Sequence, residues 1–74
     1  MKQYLEIIQL LTEEEALTSQ PQMLRLEVVD DTDAMNKFEK YKTLFNGLKY
    51  VARIHYCRHD EGKSCSVKII KMVD

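Results

Sequence analysis

Asp31-Thr32-Asp33-Ala34-Met35-Asn36-Lys37-Phe38-Glu39-Lys40-Tyr41-Lys42-Thr43-Leu44-Phe45-Asn46-Gly47-Leu48 is the stretch whose reading decides the fold. Ala34, Phe38, Tyr41, Phe45 and Leu48 recur at steps of four, three, four and three, which lays them along one side of an α-helix. Met35 and Leu44 widen that stripe, and the opposite side is polar. Asp31 or Thr32 can cap the first free N–H groups, and Asp33 suits the positive end of the helix dipole four residues before Lys37. Asn46-Gly47 supplies a residue for the left-handed conformation that ends a helix. A helix over about Asp31–Asn46, apolar on one face, follows.

The flanking segments read as strands. Met23 to Val29 alternates, with Leu24, Leu26 and Val28 on one side and Arg25 and Glu27 on the other. Beyond Gly47, Tyr50, Ala52, Ile54 and Tyr56 alternate with Val51, Arg53, His55 and Cys57, one apolar set against a largely polar one. Asp60-Glu61-Gly62-Lys63 is a turn, and Ser64 to Val73 returns as a further strand. Two registers fit this hairpin: a two-residue loop sets Tyr56 opposite Val67 and Ile54 opposite Ile69, whereas a three-residue loop sets Cys57 opposite Cys65.

Lys2 to Leu11 is ambiguous, because Tyr4, Leu5, Ile7, Ile8 and Leu11 suit either a helix or a strand apolar on both faces. Thr12-Glu13-Glu14-Glu15 is a capping box, with Leu11 and Ala16 placed as a hydrophobic staple, and it starts a new short helix at Thr12. That start favours a strand before it. The expectation is an α+β domain over residues 1–74, in the order β-β-α-β-β with a short helix between the first two strands. Its four-stranded, mainly antiparallel sheet carries one long helix packed on one face.

That helix can cover only one side, yet the first strand carries Leu5, Ile7 and Leu11 against Tyr4, Ile8 and Leu10, and the last carries Val67 and Ile69 against Ile70 and Met72. Either a second copy of the chain covers the other side, or residues 2–11 form a helix that does.

With 74 residues the chain buries only about 60% of its unfolded surface, so the core is thin. Its 45% apolar and 31% charged content and net charge of −1 describe a folded, soluble chain. No run approaches a membrane span, and no signal-peptide core precedes Leu11, so a cytoplasmic location and no membrane partner are expected. Two cysteines are too few for a secreted disulfide scaffold.

Charge is unevenly spread. Residues 1–36 hold two basic and eight acidic side chains, a balance of −6, and residues 37–74 hold nine basic and four acidic, a balance of +5. The two halves either attract across the fold or form partner-seeking surfaces.

His55-Tyr56-Cys57-Arg58-His59, with Cys65 across the turn, is the one cluster with metal-ligand chemistry. On a straight strand, His55, Cys57 and His59 spread over roughly 13 Å, too far to converge on one tetrahedral ion, so no metal ligand and no cofactor is assigned. A Cys–His nucleophile would need an orienting third group and a pocket, and two glycines do not make a phosphate loop, so no catalytic residue is assigned.

The binding candidates are Arg53, His55, Arg58, His59 and Lys68, on a basic hairpin over residues 49–72 that also carries Tyr50 and Tyr56. Cations mixed with aromatics on a sheet can contact phosphate and stack on bases, but both tyrosines share the alternation of Ala52 and Ile54, and the pI near 6.1 is low for such a role. The expected function is therefore a small non-catalytic protein-interaction module, homodimeric. Nucleic-acid binding through the hairpin is the alternative.

Overall fold

In the computed structural model, which describes all 74 residues, the chain runs β1 (Lys2–Gln9), α1 (Glu13–Thr18), β2 (Met23–Val28), α2 (Asp31–Tyr41), β3 (Tyr50–Cys57) and β4 (Ser66–Val73). Single 3-10 turns lie at Lys42–Phe45 and His59–Glu61. The strands form one sheet in the order β2-β1-β3-β4, every neighbouring pair antiparallel. This is the expected α+β architecture, with one long helix on one face.

The ambiguous first segment is a strand, and its place explains its composition. β1 is bonded to β2 on one side and β3 on the other, so no edge of it meets water. Its alternate side chains go to opposite faces, Leu5 and Ile7 into the core and Tyr4, Glu6 and Ile8 to the far side. The strand stops at Gln9 because Thr12 opens α1 with a full capping box. The Thr12 hydroxyl accepts from the Glu15 N–H at 3.2 Å, and the Glu15 carboxylate accepts from the Thr12 N–H at 3.1 Å. α1 buries none of its residues, so it serves as a connection.

α2 is capped one residue earlier than Asp31 or Thr32. Asp30 is in extended conformation and its carboxylate accepts from the Asp33 N–H at 2.8 Å. Asp33 reaches back to accept from the Val29 N–H and pairs with Lys37, both at 2.9 Å. Asp31 is thereby released to accept a hydrogen bond from the Tyr56 hydroxyl at 2.9 Å, and burial first, then this bond, raises the Tyr56 pKa. Asp30→Ala is expected to cost about 1 kcal/mol, the usual loss for an N-cap. A urea melt followed by circular dichroism measures it, and an unchanged midpoint would remove the cap from the list of stabilising contacts.

The α-helix ends at Tyr41, short of the expected Asn46, and continues as the 3-10 turn Lys42–Phe45. Tighter winding still delivers Phe45 to the core while Leu44 stays in water, and Gly47, at φ +80°, turns the chain toward β3. Ala34, Phe38 and Phe45 pack on Leu5, Ile7, Val28, Tyr50, Ala52 and Ile54, with the Phe45 and Tyr50 rings 5.7 Å apart. Ala34 and Ala52 have no exposed surface, and side chains this small let helix and sheet approach closely.

In the β3–β4 hairpin Tyr56 pairs with Ser66 and His55 with Val67, the register whose extension by one residue beyond the last pair would set Cys57 opposite Cys65. Over Arg53–Tyr56 the register is the second of the two that the sequence allows, and over Tyr50–Ala52 it is the first, while the loop is longer than three residues. It holds the 3-10 turn and Gly62 at φ +68°, so β4 begins at Ser66 and not Ser64. A β-bulge also intervenes. The partner of Ala52 is Lys71 and that of Arg53 is Ile69, leaving Ile70 as the extra residue. Ile70 packs against the core, and the phase slip sets Met72 on the same face as Val67 and Ile69, where strict alternation would have opposed them.

No segment covers the far face of the sheet. With residues 2–9 in β1, the alternative that an N-terminal helix shields it is corrected. No helix is long and apolar enough to cross a membrane.

Candidate functional site

Cross-strand register divides the open face into rows. Met23, Ile8, Val51 and Met72 are mutual neighbours across all four strands and form an unbroken apolar row at one end. The next row is Arg25, Glu6, Arg53 and Ile69, and the one after it Glu27, Tyr4, His55 and Val67. Lys2 and Cys57 follow, with Cys65 at the far edge. Met23, Val67, Ile69 and Met72 are each about half exposed or more.

Glu6 is the centre of this face and the one buried charged residue of the chain. Arg53 donates to its Oε1 at 2.8 Å, Arg25 lies 3.1 Å from Oε2, and His55 Nδ1 lies 3.3 Å from Oε2. Burial alone would raise the carboxyl pKa, but the hydrogen bonds from Arg53 and His55 outweigh it and hold Glu6 below the ordinary glutamate value. The Arg25 guanidinium sits 4.1 Å over the Tyr4 ring, whose edge in turn meets His55 with centroids 6.3 Å apart. A carboxylate can only accept, so His55 carries its proton on Nδ1, and in the neutral ring Nε2 is a bare acceptor. That Nε2 is buried and has no partner.

Beyond His55, the hairpin base gathers sulfur and nitrogen. Ligand atoms of His55, Cys57 and Cys65 all lie within 4.8 Å of one another. His59 stands between the thiols, its Nε2 3.2 Å from Cys65 Sγ and its Nδ1 3.6 Å from Cys57 Sγ. The expected spread over roughly 13 Å holds only on a straight strand. β3 ends at Cys57, and the 3-10 turn that begins at His59 folds its imidazole back over the cysteines.

The five binding candidates do not make one surface. Arg53 and His55 meet at Glu6 on the open face, and His59 is at the hairpin base. Arg58 shapes the loop, its carbonyl accepting from the Glu61 and Lys63 N–H groups. Lys68 lies on the helix side, 3.8 Å from Asp31. Tyr50 and Tyr56 also face the helix side, as their alternation implies. The charge asymmetry is partly spent within the fold, through Glu6 with Arg53 and Asp31 with Lys68. Glu6 itself escaped the sequence reading. A lone carboxylate in the apolar run Tyr4–Ile8 was the available signal, but its partners appear only once the β1–β3 register is known.

Comparison of this chain with protein-family models, curated proteins and solved structures finds no match.

Proposed function

We propose that the chain is a non-catalytic protein-interaction module that pairs with a second copy of itself through the open face of its sheet. The observation that carries this reading is the apolar row Met23–Ile8–Val51–Met72 with Val67 and Ile69 beside it, exposed on a face that no element of the fold covers. A two-fold axis running along the strands between β1 and β3 sets that row against its own copy. The same axis places Glu6 of one protomer opposite the partner's Arg53, while Arg25 and Glu27 meet the partner's Ile69 and Val67, so self-complementarity belongs to the apolar end row and to the Glu6–Arg53 centre.

The size is adequate for a weak to standard dimer. Four strands about 4.8 Å apart, with up to eight residues rising roughly 3.3 Å each, give a projected footprint on the order of 500 Å². The corrugated accessible surface over it is larger, against about 600–800 Å² per partner for interfaces of this class.

Sedimentation across a concentration series is expected to show a monomer–dimer equilibrium in the micromolar range. Ile69→Glu with Met72→Glu, on an edge strand where both side chains are about half exposed, should give a monomer with unchanged circular dichroism. A wild-type mass that stays monomeric to hundreds of micromolar, or a double variant that dimerises equally well, defeats the proposal. The nucleic-acid alternative asks for one cationic surface, and steeply salt-dependent binding of generic single strands, abolished by Arg53→Glu with Arg58→Glu, would favour it instead.

A further inference from the structure

We propose that the base of the β3–β4 hairpin is a metal site for a zinc-class divalent ion, held by His55 Nε2, Cys57 Sγ, Cys65 Sγ and a nitrogen of His59. Four observations converge on it. The ligand atoms of His55, Cys57 and Cys65 already fall within 4.8 Å of one another. Zn–N and Zn–S bonds of about 2.0 and 2.3 Å place tetrahedral ligands roughly 3.4–3.8 Å apart, so the three need close by only about 1 Å. His59 lies beside that trio, with its two nitrogens at 3.2 and 3.6 Å from the two sulfurs, and is the side chain placed to supply the fourth ligand once its ring turns one nitrogen toward the ion.

The other two observations concern His55. Its Nε2 is buried and without a hydrogen-bond partner, a cost that nothing else in the fold offsets. Its Nδ1 is held by Glu6 at 3.3 Å, the carboxylate–histidine arrangement that fixes a ligating imidazole in the tautomer presenting its other nitrogen to a metal. Glu6 would thus act as a positioning residue behind the ligand.

Two thiolates and two neutral imidazoles are the donor set of a closed structural zinc site, and tetrahedral S2N2 geometry favours zinc over magnesium or calcium. Binding displaces the proton of each thiol to solvent, and no redox change occurs. The ion would tie the end of β3 to the start of β4 across a loop that is also held by backbone hydrogen bonds within residues 58–63 and by the Met1 ammonium against Asp60 and Glu61. The site stands whether or not the open face pairs with a second copy.

The test titrates the full chain, reduced and stripped of metal, with Co²⁺. One equivalent should produce the visible bands of tetrahedral cobalt together with sulfur-to-cobalt charge transfer, and Zn²⁺ should then displace it. Zn²⁺ should also raise the melting temperature and protect both thiols from alkylation. Cys65→Ser, a near-isosteric change at a half-buried position outside the strands, should keep the far-ultraviolet circular dichroism and lose at least a hundredfold in affinity. Glu6→Gln should lose ten- to a hundredfold while keeping the cobalt spectrum, the signature of a positioning role. Absence of charge transfer with reduced thiols, equal affinity in Cys65→Ser, or a Cys57–Cys65 disulfide as the sole reaction of the pair would each overturn the proposal.

Discussion

Phe45→Ala is expected to remove a large share of the fold's stability and to leave the chain marginally folded at room temperature. Phe45 is 1% exposed and is the largest of the fully buried side chains, so its removal strips apolar contact from both the helix layer and the sheet. Truncating a buried phenylalanine costs about 3–5 kcal/mol, the transfer term plus the cavity it leaves. At about 0.05–0.15 kcal/mol per residue, a domain of this length holds only on the order of 4–11 kcal/mol in all. The site cannot collapse cheaply, because Phe45 is carried on a 3-10 turn whose neighbours Tyr50 and Phe38 are aromatic and already in contact. Leu44→Ala, one residue away and 56% exposed, should change stability by less than about 0.5 kcal/mol. Urea melts of the pair, followed by circular dichroism, compare them directly. Similar midpoints for the two variants would mean that the turn does not deliver Phe45 into the core.

The contrast between those neighbours also shows what the sequence could disclose. Steps of four, three, four and three through Ala34, Phe38, Tyr41, Phe45 and Leu48 fit a continuous α-helix. They fit equally well an α-helix that tightens after Tyr41, since periodicity reports the buried side and not the hydrogen-bond pattern that sustains it. Capping was legible because it depends on side chains three residues apart, as in Thr12 with Glu15. Even so, Asp30 took the role assigned to Asp31 or Thr32, since three aspartates within four residues offer the same chemistry.

Register was less legible, being a property of two strands at once. The bulge at Ile70 shows locally only as adjacent isoleucines, Ile69 and Ile70, one kept on the open face and the other sent to the core. The candidate site depended wholly on such non-local facts. His55, Cys57 and His59 look spread out along a line, and converge only because the strand ends at Cys57 and the 3-10 turn that follows folds His59 back. Glu6 meets Arg53 and His55 across 47 and 49 residues of chain.

Glu6→Gln is expected to destabilise the fold by about 2 kcal/mol, the second largest effect among the single changes considered. The magnitude lies between two limits. An exposed ion pair contributes about 0–1 kcal/mol, and removing one partner of a fully buried pair costs about 3–5 kcal/mol. Glu6 belongs near the buried limit, with its side chain 11% exposed, but Arg53 and Arg25 are 35% and 56% exposed and can turn partly toward water once the carboxylate is gone. Glutamine keeps the shape and still accepts a hydrogen bond from Arg53, so packing is not the source of the loss. What disappears is the negative charge that lets two guanidinium groups and an imidazole converge on the middle strands of the sheet. The loss should therefore belong to the cluster and not to Glu6 alone. A double-mutant cycle with Arg53→Met tests this, with an expected coupling energy of about 1–2 kcal/mol, reduced at high salt because the arginines are partly solvated. Additive losses, with no coupling at low salt, would mean that the Glu6–Arg53 pair stabilises nothing and that the loss on Glu6→Gln comes from its other partners, Arg25 and His55.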